Sequence, residues 1–149
     1  MVIPECNSGG AEVITRNGSY SFENENRTRA SVSVSGCPLS KIIRSCGVSP
    51  NEVSLVWADC QSCEGHVLRT GIELWTAGVP LVMEFWPRGL KIRDEEILPL
   101  ISGWFQSFAV LPKYWNDPFE LTEKLVVELS DALVAGRDEI DILLIPKST

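Results

Sequence analysis

Leu55-Val56-Trp57-Ala58-Asp59-Cys60-Gln61-Ser62-Cys63-Glu64-Gly65-His66-Val67-Leu68 is the stretch that decides how this chain is read. It starts apolar, turns through a polar corner holding two carboxylates, and returns to apolar spacing. Val53 to Ala58 is a nearly continuous apolar run, the pattern of a strand covered on both faces as in a parallel sheet. Glu64 to Ala77 reads as a helix, with Val67, Leu68, Ile72 and Trp75 on one side and Gly78 as its stop. A buried strand entering a helix through a short corner is the opening of a βαβ crossover.

The same alternation extends outward from this corner. Before it, Leu39, Ile42, Ile43 and Cys46 form a helical stripe within Pro38 to Cys46, ended by Gly47. After it, Val79 to Trp86 predicts a second buried strand closed by Pro87. Asp94 opens a helix with Ile97, Leu98, Ile101, Trp104, Phe105 and Phe108 inward, and Pro99 suggests a later true start. Ala109 to Pro112 reads as a short strand. Asp117-Pro118-Phe119-Glu120 carries a helix-start signature of N-cap, N1 and N3 residues. Leu121, Leu125, Val126, Leu129 and Leu133 continue the stripe to Gly136, and Ile140 to Ile145 is the last strand. These readings predict an α/β fold over residues 37–149, with a mostly parallel sheet and flanking helices. Residues 1–36 are a separate polar region, with a hairpin around Asn17-Gly18 and an alternating strand from Ser31 to Ser35.

A chain of 149 residues with 44% apolar and 22% charged residues suits one globular domain. Its net charge of −7 leaves no broad positive field for nucleic acid or anionic membranes. The charge is uneven: residues 1–50 carry +1 and the remainder −8. Many of the acids fall between Asp117 and Asp141, where a solvated helix face is the plain reading. The Met-Val-Ile-Pro-Glu-Cys start lacks the basic and apolar regions of a signal peptide, and no apolar run is long enough to span a bilayer. Five cysteines, Cys6, Cys37, Cys46, Cys60 and Cys63, are an odd set that argues for a reducing, cytoplasmic setting rather than a disulfide framework. Cys60 and Cys63 form a C-x-x-C, for which a metal or redox role stands against small thiols at a strand-to-helix corner.

In open parallel sheets, ligands bind beyond the carboxyl ends of the strands. Asp59 and Glu64 follow the first predicted strand, and Glu84 ends the second among apolar residues. Convergence of Asp59, Glu64 and Glu84 at one mouth of the sheet would suit a hydroxyl substrate, general-base chemistry or a divalent ion. Alternatively, Asp59 and Glu64 cap the helix that follows. Trp86, Trp104 and Trp115 fit either a pocket or the core. His66 fits a surface or capping role, and Arg88 fits pairing with Glu84 or with a substrate carboxylate.

The corner stretch, together with Gly78-Val79-Pro80-Leu81-Val82-Met83-Glu84-Phe85-Trp86-Pro87 and Asp141-Ile142-Leu143-Leu144-Ile145-Pro146, resembles the FkbM family of S-adenosylmethionine-dependent methyltransferases over residues 31–146. The family's corner is roughly an apolar strand, Asp-x-x-Gly-x-Glu, and a helix, and Ser62 stands here at the glycine position. The resemblance implies a Rossmann-like, seven-stranded sheet and methyl transfer to a hydroxyl oxygen of a small acceptor. It implies that Asp59, Glu64 and Glu84 are catalytic and that Asp59 and Gln61 contact the S-adenosylmethionine cofactor. The family's Gly-rich loop after its first strand has no counterpart in the sequence, so the expectation is the C-terminal part of such a domain, truncated before its cofactor-binding strands. An edge strand left bare in this way predicts a homodimer or a partner chain. A non-catalytic interaction module or decayed paralogue is the alternative to an enzyme.

Overall fold

The computed structural model describes residues 2–3, 30–31, 35–60, 63–86, 94–112, 118–136 and 139–148. The hairpin around Asn17-Gly18, most of the Ser31–Ser35 strand, and Gln61, Ser62, Arg88, Trp115 and Asp117 lie outside these residues. Of the polar region, β1 (Val2–Ile3) and β2 (Ala30–Ser31) pair antiparallel.

The α/β part begins with α1 (Leu39–Ser45) and a 3-10 turn at Pro50–Glu52, then β3 (Val56–Ala58), α2 (Glu64–Thr70), α3 (Ile72–Thr76) and β4 (Leu81–Phe85). It continues with α4 (Asp94–Trp104), β5 (Phe105–Val110), β6 (Phe119–Glu120), α5 (Glu123–Gly136) and β7 (Ile140–Pro146).

The strands form one open sheet in the order β3-β4-β7-β5-β6. β3 and β4 run parallel, β7 is antiparallel to both of its neighbours, and β6 is antiparallel to β5. The architecture is α/β with a mixed sheet, so the expected predominance of parallel pairs is corrected to one parallel pair among the described strands. For β4 the apolar run does mark burial on both faces, whereas the two-sided burial expected of Val53 to Ala58 is corrected by exposed Trp57 and Leu55 at β3; strand direction is readable from neither run. β3, β4 and β5 nevertheless point the same way, because β7 reverses between β4 and β5.

The predicted helix over Glu64 to Ala77 is broken at Gly71. Trp75 explains the break. Its side chain is 1% exposed, its indole N–H donates to the Leu68 carbonyl at 2.9 Å, and its ring lies 5.4 Å from that of Phe105. A Cβ at Gly71 would meet the Trp75 ring at 2.4 Å, so the chain turns there between α2 and α3. After α3, Gly78 takes a positive φ of 81°, which reverses the chain toward β4. Thr70 joins α1 to α2: its Oγ1 accepts the Leu39 N–H at 3.1 Å and donates to the His66 carbonyl.

α4 starts at Asp94, where the sequence opens it, and Pro99 lies inside it without moving the start. Proline removes one helical N–H, whereas Ile97 and Ile101, both fully buried, anchor the helix to the core. Two further boundaries, at β5 and β6, differ from expectation. Phe105 and Phe108 belong to β5 rather than to the preceding helix, because pairing with β7 satisfies their backbone while both rings stay buried. Phe119-Glu120 forms β6 instead of opening a helix. It pairs with β5, and the Phe119 and Phe108 rings lie 5.7 Å apart. Thr122 then starts α5, its Oγ1 accepting the Leu125 N–H at 3.2 Å.

Leu81, Met83, Phe85 and Leu144 sit at the centre of the core, with Leu68, Ile97 and Val126 from the helices packed around them. β3 is the edge of the described sheet, and it carries two exposed apolar side chains on or beside it, Trp57 at 64% and Leu55 at 45%.

Candidate functional site

The strand register brings the acids together. Ala58 of β3 stands beside Met83 of β4, so Asp59 emerges level with Glu84, one step further along each chain. β7 enters the sheet at this end, and its Asp141 lies directly across from Glu84. Glu64 reaches the same place from α2. It is 2% exposed, and its Oε1 accepts the Cys60 backbone N–H at 2.7 Å. Glu64 therefore folds back over the corner instead of making a side-chain cap at the head of its own helix, where Cys63 holds the N-cap position.

Carboxylate oxygens of Asp59, Glu64 and Glu84 all lie within 4.8 Å of one another. The expected convergence of these three residues at the carboxyl ends of β3 and β4 is thus present in the geometry. Such close negative charges cannot all ionise freely. Glu84 is pushed up from 4.5 to about 7, first by burial and then by the charges of Glu139, Asp59, Glu64 and Asp141. A carboxyl poised near neutrality beside two other oxygen donors can take up a proton, pair with a cationic group, or contribute to holding one hard divalent ion.

Glu139 and Asp141 were not singled out in the sequence. They fall in an acidic run that reads as solvent-facing, and their proximity to Glu84 depends on β7 lying beside β4. The Ile140-Asp141-Ile142 alternation signals a half-buried strand but not its neighbour.

On the other side of the corner, a cavity of about 630 Å³ lies against β3 between α1 and α2. Leu39, Ile42, Val56, Trp57 and Val67 give it apolar walls, and Cys37, Cys60, Cys63, His66 and Thr70 also line it. Its size falls within the range of about 300–1,000 Å³ typical of small-molecule sites. Cys60 is half-buried, and its thiol is pushed up to about 11, first by burial and then by the neighbouring charges of Glu64, Cys63 and Asp59. His66 is exposed at the cavity rim. Trp104 packs at the margin of the core, while Trp86 is half-buried just past β4. Among the described residues, no helix is long and apolar enough to cross a membrane.

Searches against protein-family models, curated proteins and solved structures give no match to this chain.

Proposed function

We propose that this chain is methyltransferase-like and supports transfer of a methyl group from S-adenosylmethionine to a hydroxyl oxygen of a small acceptor. The convergence of Asp59, Glu64 and Glu84 at the carboxyl ends of two parallel strands carries this reading. It agrees with the FkbM-like corner motif. The common direction of β3, β4 and β5, in chain order outward from the edge, also suits the second half of a Rossmann-like sheet.

The donor set fits the cofactor at its cationic end, where clustered carboxylates complement a sulfonium. When bound, that group supplies an electrophilic methyl carbon and a neutral thioether leaving group. Asp59 and Glu64 place carboxylate oxygens at the mouth, and Glu64 is fixed there by the Cys60 N–H. Glu84, with its pKa near neutrality, accepts the proton of the acceptor hydroxyl as that oxygen becomes nucleophilic. Gln61, adjacent to the Asp59–Cys60 corner in sequence, is assigned to cofactor contact by the family resemblance alone. The free thiols and this small-molecule chemistry suit a cytoplasmic setting.

Equilibrium titration of the full chain, followed to millimolar ligand, tests the reading by comparing S-adenosylmethionine with its neutral thioether product. At least about tenfold preference for the sulfonium is expected, corresponding to roughly 1.4 kcal/mol. The preference should be lost in Asp59→Asn. Equal binding of the two, or none of either, would refute the assignment.

The exposed edge of β3 favours a second reading, an interaction module that pairs with another chain. Trp57 and Leu55 present apolar surface there, and backbone groups along an edge strand are a template for strand addition. Sedimentation of the wild-type chain and Trp57→Ser at matched concentrations tests pairing through this edge: association that weakens in the variant is expected, and no association in either would refute it.

A further inference from the structure

The cavity between α1 and α2 takes no part in the carboxylate chemistry. Val56, Trp57 and Ala58 line it in succession. Successive side chains of a strand point to opposite faces, so three in a row meet one space only along the strand's edge. The ladder to β4 fixes which backbone groups face that edge. The Val56 N–H donates to the Pro80 carbonyl at 3.0 Å, and Val56 and Ala58 stand beside Leu81 and Met83. Bonding residues alternate in a parallel pair, so Trp57 turns its own N–H and C=O away from β4 and toward the cavity. Among the described strands, none pairs with this edge. The helical walls are held in place without a ligand. The Thr70 hydroxyl ties α1 to α2 by accepting the Leu39 N–H and donating to the His66 carbonyl, so its proton is already committed.

Charge decides what can enter. Among the described residues that line the cavity, none is Asp, Glu, Lys or Arg, although 22% of the chain is charged, and His66 sits exposed at the rim. An ionised ligand would lose its hydration here without gaining a counter-charge, and the net charge of −7 repels an anion in addition. Leu39, Ile42 and Val67 offer hydrocarbon, and exposed Trp57 offers an aromatic ring. The edge adds one backbone donor and one acceptor, the pair that a carboxamide complements. We propose that this cavity binds an uncharged apolar small molecule bearing a carboxamide, its apolar body between α1 and α2 and its amide paired with the backbone of Trp57. A volume of about 630 Å³ has room for two fused aromatic rings. Methyl transfer is not needed for this binding, since the carboxylate mouth lies on the other side of the corner.

Equilibrium dialysis of the full chain against naphthalene-acetamide and naphthalene-acetate, each to millimolar ligand, tests the site with one ring system in neutral and anionic form. The amide should bind saturably, one per chain, and at least about tenfold more tightly than the carboxylate. Ile42→Glu places a charge on the α1 wall at a position already 45% exposed, and should weaken the amide at least about tenfold. Val67→Phe fills the space with hydrocarbon instead and should weaken it to a similar degree, so the test survives a misfolded Ile42 variant. Val127→Glu, at an exposed apolar position on α5 that does not line the cavity, should leave binding unchanged. No saturable binding, equal binding of amide and carboxylate, or equal loss in the Ile42 and Val127 variants would overturn the proposal. So would amide binding that falls as chain concentration rises, which would make a second copy of the chain the occupant.

Discussion

Replacing Glu84 by Gln should make the protein more stable at pH 8 while changing it little at pH 4.5. Glu84 titrates near 7 in the folded chain against 4.5 as its ordinary value, so the folded state binds its proton more tightly than the unfolded state does. Where folding takes up a proton, stability falls as pH rises. The stabilising contribution of protonated Glu84 is complete below about pH 4.5 and disappears as pH climbs through about 7. At full strength such a shift is worth roughly 3 kcal/mol. Glu84 is only half-buried, and solvent screening reduces the figure to about 1–2 kcal/mol. Gln keeps the shape of the protonated acid and cannot ionise. At pH 8 it should therefore recover about 1–2 kcal/mol, or a rise in Tm of about 2–4 °C per kcal/mol. At pH 4.5 most of that advantage vanishes. Urea unfolding followed by tryptophan fluorescence, with Trp75 as a buried reporter, measures both values. A Gln variant that is less stable at pH 8, or equally shifted at both pH values, would show that burial and the neighbouring carboxylates do not hold Glu84 protonated.

Trp75→Phe keeps an aromatic ring but strands the Leu68 carbonyl, and should cost about 1–3 kcal/mol in the same urea assay. Gly71→Ala drives a methyl into the Trp75 ring and should destabilise by about 1–3 kcal/mol, with a loss of near-ultraviolet dichroism from the displaced indole. Trp57→Ser should change unfolding free energy by no more than about 0.5 kcal/mol, because the side chain faces solvent. Any concentration-dependent association through the β3 edge should weaken in the same variant, as read by sedimentation velocity.

The strand-corner-helix at Asp59 to Glu64 was legible because its apolar run and its polar turn agree on one answer. Convergence with Glu84 followed from a general property of parallel neighbours, whose carboxyl ends lie at the same edge. Less was legible around Trp104, Phe105 and Phe108. Their spacing satisfies a helix, while aromatic residues at alternate faces also suit a strand, and only the partner strand β7 resolves the choice. Phe119 and Glu120 fit a helix start locally, yet the ladder to β5 offers better use of their backbone. The approach of Glu139 and Asp141 to Glu84, and of Cys37 to the Cys60–Cys63 corner, depends on contacts between distant segments that no local pattern encodes.

The position of β7 has a consequence for how the chain is made. Ribosomal synthesis runs from the amino end, and β7 emerges after the other four described strands of its sheet. It is also the strand that links β4 to β5, so until it arrives β3-β4 and β5-β6 share no ladder. The sheet cannot close progressively; it must wait for residues 140–146 and then zip on both flanks of one insertion. Nascent chains halted before Ile140 should expose the paired faces of Met83 and Phe108 to chaperones. Release of a few further residues should hide both together.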